Sequence, residues 1–218
     1  MKKLVVVITL DDLVDRHPKW ESALQLLIEK ELPHTVGVIT GEYQGRRTDW
    51  GFIKSYIDNG LTEVASHSRT HTKLPYMDYD SEIGGSKQDI LDNLGIDVAT
   101  WISPYGRWDD LVIEKLKQYG YLIFRGGGRK SKDFRTDNLF KVNHSIEMGD
   151  GAFRSWFDVK RLNGLFDQIY EQGGVYHLLS HPEHTNWDKG SYTDQHLDYI
   201  SGRDDVLYTT LGGWRRLQ

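Results

Sequence analysis

The sequence predicts an α/β protein of parallel strands joined by helical crossovers. Three observations carry that reading. Short β-rich runs alternate with segments of helical periodicity, loops with Gly, Pro and Asp separate them, and the first run, Leu4 to Leu10, is continuously apolar. An unbroken apolar strand is buried on both faces, which is the habit of parallel sheets covered by helices. Seven or eight such units in 218 residues fit a closed or partly open barrel at least as well as a flat doubly wound sheet.

The elements follow in order. After Leu4 to Leu10, Pro18 opens a helix in which Trp20, Ala23, Leu24, Leu27 and Ile28 share one face. Val36 to Ile39 reads as the second strand. Trp50, Ile53 and Ile57 mark a helix that Gly60 stops, and Thr62 to Ser66 is the third strand. Asp80 to Leu94 is helical, Thr100 to Ser103 is a fourth strand ended by Pro104, and Asp109 to Tyr119 is a helix ended by Gly120. Tyr121 to Phe124 makes the fifth strand and Gly126 to Ser131 a loop. Leu139 to Ile146 reads as strand, Phe157 to Tyr170 as helix and Gly174 to Ser180 as strand. Thr193 to Ile200 then reads as helix and Val206 to Thr210 as strand. No repeat or linker divides the chain, so 1–218 is expected to form one domain.

Composition narrows the function. With 27 Lys+Arg against 32 Asp+Glu and a net charge of -5, no broad basic surface exists for nucleic acid or acidic membranes. The absence of Cys excludes thiolate catalysis and leaves His and carboxylates as metal ligands. Lys2 and Lys3 before the apolar run imitate an export signal, yet Asp11 and Asp12 end it with no cleavage site. No apolar run approaches the roughly 20 residues that span a bilayer. A soluble, cytoplasmic protein is expected, with its oligomeric state open.

In parallel α/β folds the ligand lies beyond the C-terminal ends of the strands. Asp11 and Asp12 follow the first strand, His67 and His71 the third, Pro104-Tyr105-Gly106-Arg107 the fourth, Arg125 the fifth and His181-Pro182-Glu183-His184 the Gly174 to Ser180 strand. Two His and a carboxylate suffice for a catalytic divalent metal with open positions. Each group also has a plainer reading: His67 and His71 as a solvated polar turn, Asp11-Asp12 as a helix-entry cap, His181 as a core histidine. His177 reads as an in-strand residue and His184 as a loop residue. Of Trp50, Trp101, Trp108, Trp156, Trp187 and Trp214, Trp108 and Trp187 lie in loops where a ligand could stack on the ring.

Thr9-Leu10-Asp11-Asp12, His67-Ser68-Arg69-Thr70-His71, Ser103-Pro104-Tyr105-Gly106 and Leu178-Leu179-Ser180-His181 occur in the order of the motifs of one family. From Leu4 to Leu211 the chain resembles the polysaccharide deacetylase superfamily, the NodB-homology domains of carbohydrate esterase family 4. The resemblance implies a distorted (β/α) barrel of about seven parallel strands, related to the TIM barrel. It implies Asp11 as general base, His181 as general acid, and Asp12, His67 and His71 as ligands of one divalent metal, zinc first, with cobalt, nickel, iron or manganese as alternatives. Leu179 would line a pocket for the acyl methyl and the Tyr105 N–H would stabilise the oxyanion. The implied reaction is removal of an acetyl group from an N-acetylated, less often O-acetylated, sugar of a polysaccharide or its precursor.

Two departures stand out. The family's third motif begins with an Arg that steadies the base, where this chain has Ile102, and Arg107 and Arg125 are the candidates to replace it. The fourth motif, with an Asp and a Trp that tune the acid, is not recognisable in Phe124-Arg125-Gly126-Gly127-Gly128. The alternatives are therefore a sugar-binding relative without turnover, or an allantoinase-like hydrolase of small amides. A non-haem iron oxygenase would use the same ligand types, usually on an antiparallel double-sheet barrel.

Overall fold

A computed structural model of the protein describes residues 4–73, 76–127, 133–149 and 159–218. Trp156, Phe157 and residues 128–131 of the expected loop lie outside the described residues. The chain runs β1 (Leu4–Leu13), α1 (Pro18–Glu29), β2 (His34–Val38), a hairpin of β3 (Glu42–Tyr43) and β4 (Arg46–Arg47), α2 (Trp50–Ile57) and β5 (Thr62–Ser66). A π-helical turn (Asp80–Gly85) leads into α3 (Ser86–Leu94), then β6 (Thr100–Ile102), α4 (Asp110–Gln118), β7 (Ile123–Arg125), β8 (Phe134–Thr136), β9 (Leu139–Val142) and β10 (Ile146–Met148). It ends with α5 (Val159–Gln172), β11 (Gly174–Ser180), α6 (Tyr192–Ile200), β12 (Val206–Thr209) and α7 (Leu211–Arg216). No helix among the described residues is long and apolar enough to cross a membrane.

Local chemistry explains the helix starts. Pro18 occupies the first turn of α1, and the carboxylates of Asp49 and Asp109 accept the Phe52 and Val112 N–H groups at 2.9 and 2.8 Å. Gly95, at φ 72°, ends α3 in the left-handed conformation that suits glycine.

The strands hydrogen-bond in the order β10-β11-β1-β2-β5-β6-β7-β9-β8, with β12 also on β1, and every pair in that sheet is parallel except β8 with β9. Here the structure corrects one expectation. The single strand expected over Leu139 to Ile146 is two, β9 and β10, at opposite sides of the sheet order. Seven strand spacings separate them, about 34 Å in a flat sheet. Yet Val142 and Ile146 are four residues apart, a reach of at most about 14 Å. The sheet must therefore curl into a barrel, left open between β9 and β10, where no ladder joins the described residues. The distorted (β/α) barrel is the observed architecture.

Residues two apart along each strand share a face. Val5, Val7, Ala65, Ile102, Ile123, Phe140, Val142 and Val175 form a small inner core, closed at the N-terminal ends of the strands by Leu211 and Trp214 of α7. A larger core between sheet and helices includes Leu4, Val6, Ile8, Leu10, Trp20, Leu24, Trp101 and Phe124. Continuing the inner face upward gives Thr9 and Asp11 on β1, His67 past β5, Arg125 on β7, and His177, Leu179 and His181 along and past β11. Gly37 of β2 makes room for them, since a Cβ there would lie 3.3 Å from that of His67 and 3.1 Å from Ile102 Cδ1.

Candidate active site

Strand alternation alone would send Asp11 and Asp12 to opposite faces. β1 instead slips its register against β2 between Leu10 and Leu13, and Asp12 takes φ 70°. Such a bulge re-aims a side chain, and Asp tolerates the left-handed region better than branched residues do. Both carboxylates thus turn toward one centre. Asp11 is 4% exposed and its Oδ2 accepts a charge-assisted hydrogen bond from Nη2 of Arg125, which is 2% exposed. Asp11 Oδ1 and Arg125 Nε have no partner among the described residues.

Asp12 Oδ1 stands 3.1 Å from His67 Nε2 and 3.3 Å from His71 Nε2. His67 Nδ1 lies 2.7 Å from the Ile102 carbonyl oxygen. A carbonyl only accepts, so Nδ1 carries the proton and the Nε2 lone pair faces the carboxylate. Two lone pairs at that distance need a cation between them, a proton or a metal. Ligands about 2.1 Å from one tetrahedral ion stand about 3.4 Å apart. One ligand atom from each of Asp12, His67 and His71 lies within 4.8 Å of the others, so the donor set and its second-shell hydrogen bond fit a divalent ion. Burial opposes ionisation of Asp12, but the contact and charge of His67, with His71 and His181, hold its carboxyl well below the usual range. Burial and the neighbouring His67 push His71 down to about 4, which leaves its imidazole neutral for ligation. The His71 ring is flanked by Tyr43 at 5.1 Å and Tyr105 at 4.5 Å between ring centres.

His181 faces this group from β11. Its Nε2 is 3.9 Å from Oδ2 of both Asp11 and Asp12, and its Nδ1 is 3.3 Å from Glu147 Oε1. Burial disfavours the imidazolium, but Glu147, Asp11 and Asp12 outweigh it and raise His181 to about 9. Sequence reading missed Glu147. It lies between Ile146 and Met148, which face the outer core, so the alternation of β10 turns it inward. The strand expected to end at Ile146 hid that signal.

The other expected residues separate. Leu179 is buried two residues below His181 on the inner face. Tyr105 adopts φ 57°, the residue is 52% exposed, and no described group accepts from its N–H. At the place of the motif Arg, Ile102 contributes its carbonyl to His67 and its side chain to the inner core. Arg125 reaches Asp11, whereas Arg107 is exposed and makes no described contact with it. One stacking expectation is corrected. Trp187 is 2% exposed in the outer core, so neither ring face is open to a sugar. Trp108 packs edge-on against Phe124 and lines an outer hollow with Ile113, Glu114 and Lys117 of α4, on the helix side of the sheet.

Comparison with known proteins agrees with this fold. The profile of the polysaccharide deacetylase family matches residues 1–124. A polysaccharide deacetylase structure from Mycobacterium smegmatis superposes with a TM-score of 0.80 at 15% identity, covering 99% of this chain and 90% of its own. A chitin deacetylase from Colletotrichum lindemuthianum gives 0.69 at 16% identity, over 95% and 85%. A family 4 acetyl xylan esterase from Clostridium thermocellum, in complex with cobalt, gives 0.64 at 17% identity, over 98% and 91%. Identities this low speak for the fold. No curated protein matches the chain significantly. The profile match spans more than half of the chain, and on that ground the protein belongs to the polysaccharide deacetylase family.

Proposed function

We propose that the protein is a metal-dependent hydrolase that removes an acetyl group from an N-acetylated sugar of a polysaccharide or its precursor. The carrying observation is that Asp11 and His181 face each other beside the Asp12–His67–His71 group, with His181 Nε2 3.9 Å from an oxygen of each aspartate. Asp12, His67 and His71 would hold the ion, with zinc the first choice and cobalt, nickel, iron and manganese the alternatives. Such an ion acidifies water and polarises an acyl carbonyl.

The chain's own residues supply the proton transfers. Arg125 occupies Asp11 Oδ2 and fixes the carboxylate, leaving Oδ1 to take a proton from the attacking water. Glu147 holds His181 through Nδ1, so its Nε2–H is the one presented to the leaving amine. Raised to about 9, His181 carries that proton at neutral pH. An amine leaves poorly unless protonated, which requires an acid opposite the base. The unpaired Tyr105 N–H would donate to the developing oxyanion, and Leu179 would wall the acyl methyl. The exposed Tyr105 offers a sugar its ring face.

Acetate release from N-acetylglucosamine oligomers by the zinc-loaded protein tests this. Wild type should turn over, while Asp11→Asn and His181→Ala should retain the metal and lose activity. No acetate from any N- or O-acetylated sugar with a fully loaded wild type would refute the reading.

A further inference from the structure

The loop that carries His71 is bent twice into the left-handed region, at Ser68 (φ 66°) and at His71 itself (φ 55°). Non-glycine residues stay there only where their surroundings over-determine them. Ser68 Oγ accepts the His71 N–H at 3.0 Å. From the β2 side, Thr40 and Gly41 donate their N–H groups to the Ser68 and Arg69 carbonyls at 3.1 and 2.8 Å.

On the opposite side Asp89 of α3 takes the Arg69 guanidinium at 2.7 and 2.6 Å, and a buried carboxylate of the π-helical turn takes the loop's backbone. Glu82, 5% exposed, projects from the π-helical turn. Its Oε2 accepts the Arg69 and Thr70 N–H groups, both at 2.9 Å, and its Oε1 accepts the Thr70 hydroxyl at 2.6 Å. Every hydrogen bond to this buried carboxylate thus comes from the two residues just before His71. The turn also comes close at Gly85, where a Cβ would lie 2.9 Å from Arg69 Nη1. A π-turn adds a residue to the helix and is frequent near functional sites. Its place beside a doubly strained ligand loop gives it a physical purpose.

We propose that Glu82 is a positioning residue for His71: it fixes the backbone of residues 69–70 so that His71 Nε2 meets the Asp12 carboxylate and the ligand set is assembled before a divalent cation arrives. The proposal rests on the metal-site reading above. Among the described residues the Glu82 carboxylate has no hydrogen bond to a candidate ligand, so it acts through the loop.

The test is titration of the full, metal-stripped chain with Co²⁺, followed by visible absorption, alongside unfolding midpoints in chelator. Glu82→Ala and Glu82→Asp should bind cobalt about 10- to 100-fold more weakly, as loss of outer-shell support usually does. Glu82→Asp keeps the charge and serves should the alanine variant not fold. Glu82→Gln should stay within about threefold of wild type, since its carbonyl can take both N–H groups and its amide can donate to the Thr70 hydroxyl. A merely structural role would lower the midpoint and leave cobalt affinity and spectrum of the folded protein unchanged. Wild-type affinity in either truncation, or a glutamine variant as weak as alanine, would overturn the proposal alone. No cobalt uptake by wild type would overturn it together with the metal-site reading.

Discussion

Two carboxylate clusters lie at opposite ends of the same barrel interior. At the N-terminal ends of the strands, Glu63 accepts from the hydroxyls of Thr35 and Thr100 at 2.8 and 2.6 Å and from the Gly212 N–H, while Thr35 accepts the Leu211 N–H. Both Glu63 oxygens are satisfied, and the cluster seats α7. At the C-terminal ends, Asp11 Oδ1, Arg125 Nε and His71 Nδ1 are buried without partners among the described residues, and lone pairs of Asp12 and His67 confront each other. Buried polar groups are almost always paired, so a site that leaves several open is built around something else. The lower cluster stabilises the fold; in the function proposed above, the upper one serves a ligand and chemistry.

The largest effect that could break this contrast is catalytic. Asp11→Asn should lower kcat on an N-acetylated sugar by about 10²- to 10⁴-fold, the usual range for a general base. Glu63→Gln should leave kcat of the folded protein within about threefold, because it lies outside the reacting groups. Comparable losses in both variants would erase the distinction.

The next effect is on stability against pH, and the two ends should differ in sign. At the lower end, His34 donates through Nδ1 to the Leu32 carbonyl and accepts the Thr62 hydroxyl at Nε2, and burial pushes it down to about 4. Folded protein then resists its protonation. Its contribution is fully present above about 6.5 and is lost as pH falls from there to about 4, on the order of 3 kcal/mol. His181 is raised to about 9, so its contribution is complete below about 6.5 and fades as pH climbs toward 9. Urea unfolding of metal-free wild type, His34→Gln and His181→Gln from pH 4 to 9 checks both signs.

Smaller still is Gly212→Ala. A Cβ there would lie 2.3 Å from Glu63 Oε1, so the variant should lose about 2 kcal/mol of stability by overpacking and leave metal binding unchanged. Glu147→Gln should matter least for folding, since that side chain is half exposed. It should move the alkaline limb of kcat/KM to lower pH, because it removes the charge that helps keep His181 protonated.

The same contrast explains what the sequence disclosed. Polar residues after apolar runs marked Asp11, His67 and His181, because strand alternation and parallel topology bring strand ends together whatever their separation in sequence. Arg125 was legible as a cation at a strand end, but its choice over Arg107 depends on which side chain the inner face receives. Glu147 was hidden because β9 and β10 read as one strand, and only sheet closure shows the break. Trp187 reads as a loop tryptophan because its burial in the outer core is tertiary and leaves no local pattern. The bulge at Asp11-Asp12 left no local signature beyond the paired acids.

The most direct measurement is metal content by mass spectrometry after incubation with one equivalent of Zn²⁺, for wild type, Asp12→Ala, His67→Ala and Glu63→Ala. The account predicts one ion per chain in wild type and in Glu63→Ala, and loss of that ion in both variants at the C-terminal end. No ion in wild type, or one retained in all four proteins, would contradict it.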